Sequence, residues 1–163
     1  MNKKGFTLIE LLAVITILAL LAGIAIPNVM TSMNNTRKNS FLLDSKRMIA
    51  KAEYLLAINK ADREKVKSQG VTYNFMELNV DGEFDKDSDG GDFQNGFVHI
   101  AYFNNEYQYC ICIVGSKRKI MGQDNTTDVC NIPNTITSLD NLKQYCAMSS
   151  ELNVSIISDN SGN

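Results

Sequence analysis

The chain has 163 residues, enough for one domain with a hydrophobic core and little more. Its net charge of −2 argues against a general electrostatic attraction to nucleic acid or to anionic lipid. Apolar residues make up an ordinary 44% of the chain, but many of them are concentrated at the N-terminus. The remainder is rich in Asn, Asp, Ser and Lys and is typical of a soluble domain.

The N-terminal segment is an apolar run that contains a single ionisable side chain. Between Phe6 and Ile26 that side chain is Glu10, and a helix of this length spans roughly 30 Å, about one hydrocarbon core. Lys3 and Lys4 precede the run, which favours a cytoplasmic N-terminus. The run exceeds the roughly 7–15 apolar residues of a secretory signal peptide. A simple membrane anchor fits the length but leaves the carboxylate unexplained.

The order of residues at the N-terminus is more specific than its composition. A short basic leader, MNKKG, is followed by FTLIE and by the apolar run up to Pro27. This pattern resembles the N-terminus of type IV pilins and of type II secretion pseudopilins. The resemblance implies that a prepilin peptidase cleaves between Gly5 and Phe6 and N-methylates Phe6. Glu10 is then the fifth residue of the mature chain and Pro27 the twenty-second.

The same resemblance implies a role for the isolated carboxylate. In assembled filaments of this family, the glutamate at that position lies near the N-terminal amine of a neighbouring subunit. A buried charge is tolerable when it is paired and costly when it is alone. Glu10 is therefore interpreted as a subunit-docking group rather than as a catalytic acid.

Three segments are expected: a leader at 1–5, a transmembrane and filament-core helix at 6–27, and a globular domain at 28–163. The helix is predicted to continue over 28–59, where apolar residues recur at helical spacing with charged residues between them. The predicted apolar stripe consists of Ile26, Met30, Met33, Phe41, Met48, Ala52, Leu55 and Leu56, widened by Leu42 and Ile49. Gly23 and Pro27 are the positions where we expect this helix to bend.

The stretch after the helix is less distinctive. Residues 61–68 are predicted to form a solvated helix end and a loop, and residues 71–78 suit either a strand or a short helix. The following run, DGEFDKDSDGGD, reproduces the first half of a calcium-binding loop through Asp85, Asp87 and Asp89. Glycine stands at the twelfth position, where a bidentate Glu is needed. A solvated acidic loop is thus the favoured interpretation, and calcium binding is the alternative.

The clearest strand signal is GFVHIAYF-NN-EYQYCICIVG, which predicts a hairpin that turns at the two Asn residues. In this register His99 opposes Cys110, with Ala101 opposite Gln108 and Phe103 opposite Glu106. One face collects side chains suited to cover the helix stripe: Val98, Ile100, Tyr102, Tyr107, Tyr109, Ile111 and Ile113. The opposite face holds His99, Cys110 and Cys112.

The C-terminal part contains shorter signals. The basic cluster at 116–119 is interpreted as a solvated turn, and phosphate binding in a DNA-uptake pilin is the alternative. Ser138 is predicted to cap a helix from Leu139 to Cys146. Residues 152–157 are predicted to form a last strand, followed by a frayed tail.

Four cysteines lie in the part of the chain expected to be extracytoplasmic, where disulfides persist. Cys110 and Cys112 are two apart on one strand face, with Cα atoms about 6.5–7 Å apart, close to the limit for a bridge. Two connectivities remain open: Cys110 with Cys130 and Cys112 with Cys146, or Cys110 with Cys146 and Cys112 with Cys130. The alternative is a zinc site formed by His99 and the strand cysteines, although no C-x₂-C pair is present.

The fold class predicted from these features is α+β and pilin-like. A long N-terminal helix packs on a small antiparallel sheet, and disulfides staple the C-terminal region. The implied function is that of a non-enzymatic structural subunit of a type IV pilus, first inserted in the cytoplasmic (inner) membrane and then exported in the filament. The implied partners are identical or related pilin subunits, the prepilin peptidase and the pilus assembly machinery, and no cofactor is expected. The alternatives are a pseudopilin of a type II secretion or competence machine, and an unprocessed signal-anchored extracytoplasmic binding protein, with a metal ion as one candidate ligand.

Overall fold

A computed structural model of the chain describes residues 7–123, 130–132 and 138–159. The chain divides into two compact units, Met1–Thr36 and Arg37–Asn163. Helix α1 extends from Leu8 to Ile58 and contributes residues to both units. The predicted long N-terminal helix is thereby confirmed.

The first unit, Met1–Thr36, contains the apolar part of α1. Every side chain from Thr7 to Thr36 is exposed, including Leu8 at 83% and Leu20 at 72%. A helix that is apolar on all sides is typical of a segment that other apolar groups or lipid surround. The helix continues through Gly23 and Pro27 without interruption. A bend at these residues, and the segment boundaries at 5 and 27, stay predictions.

The second unit has its main core between the rest of α1 and one face of a sheet. Buried side chains of the helix and sheet form one cluster, which includes Phe41, Met48, Ala52, Leu56, Val98, Ile100, Ile111 and Ile113. The hairpin face predicted to cover the helix is thus confirmed for Val98, Ile100, Tyr109, Ile111 and Ile113, whereas Tyr102 and Tyr107 near the turn lie outside this cluster. The predicted stripe is wrong at its start, because Ile26, Met30 and Met33 are at least half exposed. The buried stripe begins at Phe41.

Two further helices precede the hairpin. Residues 61–68, predicted to be a helix end and loop, belong instead to a separate helix, α2 (Lys60–Gln69). The side chain of Asn59 caps α2 by accepting hydrogen bonds from the backbone N–H groups of Ala61 and Asp62, which explains the break after α1. The ambiguous stretch 71–78 contains both predicted forms, strand β1 (Val71–Asn74) and helix α3 (Phe75–Leu78).

The hairpin consists of β2 (Asn95–Phe103) and β3 (Glu106–Val114). Its register pairs His99 with Cys110, as predicted, and the pairs nearer the turn also match. Asn104 and Asn105 have φ of 52° and 69°, the left-handed values that a two-residue turn of this type requires. The predicted hairpin is therefore confirmed in both register and turn.

The sheet is antiparallel and has the order β1-β2-β3-β4-β6, with β5 paired to β3. The remaining strands are β4 (Arg118–Ile120), β5 (Ala147–Met148) and β6 (Ser158–Asp159). Ser138 is the N-cap of helix α4 (Leu139–Tyr145), and its hydroxyl accepts a hydrogen bond from the backbone N–H of Asn141. This cap was predicted and is confirmed.

The predicted strand at 152–157 is wrong. Short 3₁₀ turns form at Ser149–Glu151 and Val154–Ile156 instead. The side chain of Asn153 accepts a hydrogen bond from the backbone of Ser155, which favours a turn over an extended strand. The pairing of β6 with β4 also corrects the prediction of a frayed tail from residue 158. Residues 160–163 lie outside the described residues.

Candidate functional site

The N-terminal helix starts with a reciprocal cap that involves Glu10. Its carboxylate accepts hydrogen bonds from the backbone N–H of Thr7 at 2.9 Å and from the Thr7 hydroxyl at 2.7 Å. The Thr7 Oγ1 in turn accepts from the backbone N–H of Glu10 at 3.4 Å. This is the capping-box arrangement, and the spacing Thr7-x-x-Glu10 is its sequence signal. This local role of the carboxylate was not predicted from the sequence.

The expected processing site adjoins this cap. Gly5 and Phe6 lie outside the described residues, so cleavage between them and methylation of Phe6 stay predictions. Helix α1 follows directly, and among the described helices it alone is long and apolar enough to cross a membrane.

The acidic loop of the second unit is organised by backbone and side-chain donors of the protein itself. Asp87 is buried and accepts hydrogen bonds from the backbone N–H groups of Asp89 at 2.9 Å and Gly91 at 3.0 Å. Its other oxygen accepts from the hydroxyl of Ser116 at 2.6 Å and from the Ser116 backbone N–H. Burial acts to raise the pKa of Asp87, but these hydrogen bonds together lower it below the usual value. Asp87 therefore connects the acidic loop to the turn before β4 through its hydrogen bonds with Ser116.

The second aspartate of this loop is held by two arginines. Arg118 Nε lies 3.1 Å from Asp89 Oδ2, and Arg37 Nη1 lies 3.5 Å from Asp89 Oδ1. The side chains of Asp89 and Arg118 are 1% and 5% exposed, so this ion pair lies in the interior. We call Asp87, Asp89 and Arg118 the loop cluster.

The loop cluster bears on two predictions from the sequence: the calcium-binding alternative for the acidic loop and the solvated basic turn at 116–119. Asp85, the first of the calcium candidates, is exposed and accepts a hydrogen bond from the Asn79 side chain at 3.1 Å. Within 7–123, 130–132 and 138–159, no group of three or more His, Cys, Asp or Glu side chains is arranged to hold a metal ion. The interpretation of 116–119 as a solvated basic turn is wrong for Arg118, because Asp89 draws that side chain into the interior.

The second face of the sheet carries the cysteines. Cys110 is bonded to Cys146 and Cys112 to Cys130, with Cα atoms 5.5 and 5.6 Å apart. This is the second of the two connectivities left open. The four sulfur atoms lie in a core that also contains Phe97, Ala101, Val114, Leu142 and Met148. The zinc alternative required free thiolates and is wrong for these residues.

His99 lies on this face in β2, between Thr72 of β1 and Cys110 of β3. Its Nδ1 is 2.7 Å from the Thr72 hydroxyl on β1, and the residue is 4% exposed. Its Nε2 faces Gly70, where a Cβ atom would come within 2.6 Å of that nitrogen. Gly70 also has a φ of 73°, so glycine is required for both space and conformation. Burial lowers the pKa of His99 to about 4.

This burial predicts a pH-dependent stability. The unfolded chain takes up a proton on His99 near its ordinary pKa of 6.5, whereas the folded protein resists protonation until about 4. Acidification through that window therefore favours unfolding, and we expect a loss of about 3 kcal/mol from this residue. Denaturant unfolding of wild type and His99→Gln at pH 7, 5.5 and 4.5 should show a smaller loss in the variant. Equal losses would contradict a neutral, buried His99.

The N-terminal residues of the chain are similar to those of known proteins. Residues 1–26 match the prokaryotic N-terminal methylation motif. The chain is also similar to the type IV wide pilus major component PilA4 of Thermus thermophilus, with 49% identity over 47 residues. That alignment covers 27% of this chain and 36% of the relative, so the chain spans about a third of the relative's length. No solved structure matches the chain. The resemblance to type IV pilins is thus confirmed for the motif.

Proposed function

We propose that the protein is a structural subunit of a type IV pilus. The observation that carries this proposal is the methylation motif at residues 1–26. Most of the motif lies in helix α1, whose side chains from Thr7 to Thr36 are all exposed. The similarity to a pilus component supports a structural rather than a catalytic role. The two disulfides of the second unit suit a domain that functions outside the cytoplasm.

The apolar part of α1 would serve in two environments. Before assembly it crosses the cytoplasmic membrane, with Lys3 and Lys4 on the cytoplasmic side. After assembly the same surface packs against the helices of identical or related subunits in the filament core. Leu8, Ile9 and Leu20, which are exposed in the single chain, would be buried in both environments.

Processing would couple to docking through the N-terminal amine. Cleavage between Gly5 and Phe6 by a prepilin peptidase creates a new amine on Phe6, and that amine remains basic after methylation. In the filament this positive charge would lie near Glu10 of the adjacent subunit and compensate its carboxylate. The uncleaved chain has no amine at this position, so it cannot supply the partner.

A substitution at the cleavage site tests the assignment. We expect Gly5→Trp to block removal of Met1–Gly5, since a large side chain obstructs the peptidase at the scissile bond. Gly5→Ala is the matched control, because it adds one methyl group, and we expect it to be cleaved at least partly. Intact mass spectrometry of membrane-extracted protein distinguishes the two forms. Cleavage of Gly5→Trp at the same bond would contradict the assignment.

The pseudopilin alternative is decided by localisation. A pilus subunit should be labelled by antibody along extended filaments at the cell surface, whereas a pseudopilin should remain at the cell envelope. The pilus component among the relatives favours the first outcome. If a correctly processed chain is labelled only at the cell envelope, the result would favour the pseudopilin of a secretion or competence machine.

A further inference from the structure

The sequence pattern Asn-x-Ser/Thr, without proline in the middle, occurs three times in the chain. It begins at Asn34, at Asn125 and at Asn153. This pattern is the acceptor of N-linked glycosylation, which attaches a glycan to a surface segment of an exported protein. The pattern alone is a weak signal, so the local structure has to decide which acceptor is usable. Asn125 lies outside the described residues, and the comparison is between the other two.

The acceptor sequence at Asn34 is part of the continuous helix α1. The hydroxyl of Thr36 donates a hydrogen bond to the backbone carbonyl of Ser32 at 3.0 Å, which is the usual bond of a threonine inside a helix. In a helix the backbone N–H of each residue is bonded four residues back, so it is not available to an asparagine two residues before it. The helix therefore holds this sequence in a conformation that separates the amide from the hydroxyl residue.

The acceptor sequence at Asn153 has the opposite arrangement. Both Asn153 and Ser155 are exposed. Asn153 Oδ1 accepts hydrogen bonds from the backbone N–H of Ser155 at 2.8 Å and from the Ser155 hydroxyl. The two residues that define the pattern thus contact each other in an Asx turn. Donors on Oδ1 draw electron density from the amide and make the protons on Nδ2 more acidic.

The residues before Asn153 also suit an acceptor site. Asn153 Nδ2 donates to the backbone carbonyl of Glu151 at 2.9 Å, which fixes the orientation of the amide and occupies one of its two N–H groups. The carboxylate of Glu151 is 45% exposed beside Lys143, so a basic group of an enzyme has access to it. The turn belongs to the unit that contains both disulfides, which suit an oxidising compartment outside the cytoplasm.

We propose that Asn153 is an N-glycosylation site, an inference that rests on the proposed function only for the export of the domain. The donor is an oligosaccharide linked to a polyisoprenyl diphosphate, and the catalyst is a membrane oligosaccharyltransferase. Asn153 Nδ2 attacks the anomeric carbon of the donor and forms the C–N bond while the bond from that carbon to the diphosphate oxygen breaks. Nδ2 loses one proton to a base of the enzyme, and the polyisoprenyl diphosphate leaves with the bonding electron pair.

A glycan at this position has a consequence for the assembled protein. The attached sugar is bulky and hydrated, so the turn at 153–155 has to face solvent in the filament. A neighbouring subunit is therefore excluded from close contact with this turn, and the glycan covers the surface around it.

Mass spectrometry of the chain isolated from the cells that produce it tests the site. After reduction and trypsin digestion, the peptide 144–163 should carry the mass of an oligosaccharide, and fragmentation should place the sugar on Asn153. An unmodified peptide, or a sugar attached to one of its serines, would overturn the proposal. The sequence at Asn34 provides an internal comparison and should remain unmodified.

A pair of variants separates recognition of the acceptor from a change in folding. Ser155→Ala should abolish the modification, because it removes the hydroxyl and leaves the backbone N–H that bonds to Asn153. Ser155→Thr is the matched control and should keep it. Both variants should melt at the wild-type temperature, since residue 155 is exposed. Retention of the glycan in Ser155→Ala would overturn the proposal.

The failure of this inference is distinguishable from the failure of the proposed function. An unmodified Asn153 in protein sheared from surface filaments would overturn the glycosylation and leave the pilus function standing. A processed chain that carries the glycan on Asn153 but is confined to the cell envelope would support the glycosylation and overturn the pilus function.

Discussion

We expect the Glu10→Ala variant to lose roughly tenfold or more of its filament-borne protein while it is still inserted, cleaved and folded. In the proposed filament the carboxylate would be desolvated as the helices pack together, and the amine of Phe6 on the adjacent subunit would compensate its charge. Alanine removes this attraction and makes the helix more soluble in lipid. Immunoblots of membrane-held and sheared-filament fractions measure the effect. A normal filament yield would reduce Glu10 to a tolerated polar residue.

The capping box makes the controls for this experiment sharper. Gln also serves at the third position of a capping box, so Glu10→Gln keeps the cap with Thr7 and removes only the charge. Thr7→Ala does the reverse, because it removes the hydroxyl and keeps the carboxylate. If charge pairing drives docking, Glu10→Gln should assemble poorly and Thr7→Ala nearly normally. The opposite pattern would assign the role of Glu10 to helix capping.

Arg118→Met should lower the free energy of unfolding by about 3–5 kcal/mol, because it leaves the buried carboxylate of Asp89 without its interior partner. Methionine keeps much of the volume and the apolar stem of arginine. Denaturant unfolding monitored by circular dichroism gives the measurement. Lys117→Met is the matched control, since Lys117 is exposed in the same turn and its loss should have little effect.

The loop cluster also predicts the response to calcium. Asp87 and Asp89 already have partners in Ser116, Arg118 and Arg37, so calcium should leave the wild-type melting temperature unchanged. The double variant Asp89→Asn with Arg118→Met should recover part of the unfolding free energy that Arg118→Met alone loses, because the buried negative charge is removed together with its partner. A clear stabilisation of the wild type by calcium would contradict this account of the acidic loop.

Local patterns predicted much of the fold. The alternation in β2 and β3 and the two Asn residues between them were sufficient to give the register and the turn. Ser138 likewise identified the start of α4. In each of these cases the residues that give the signal are close in the sequence to the turn, strand pair or helix start that they determine. Few other local structures therefore compete with the observed one.

The features that the sequence analysis missed depend on distant partners or on competing local bonds. The stretch 116–119 has the composition of a solvated turn, and only the fold shows that the Arg118 side chain is buried in an ion pair with Asp89. Residues 152–157 alternate like a strand, but the Asn153 side chain stabilises a turn there. The choice between two disulfide connectivities required the positions of Cys130 and Cys146, which no local pattern determines.

The intact mass of the subunit sheared from the cell surface tests whether the protein is a processed pilus subunit. We expect a chain that lacks Met1–Gly5, carries one added methyl group on Phe6, and is lighter by four hydrogens because of the two disulfides. Fragmentation of the N-terminal peptide places the methyl group, and alkylation without reduction should find no reactive thiol. A full-length, unmethylated chain that stays in the membrane fraction would contradict the account and favour the signal-anchored alternative.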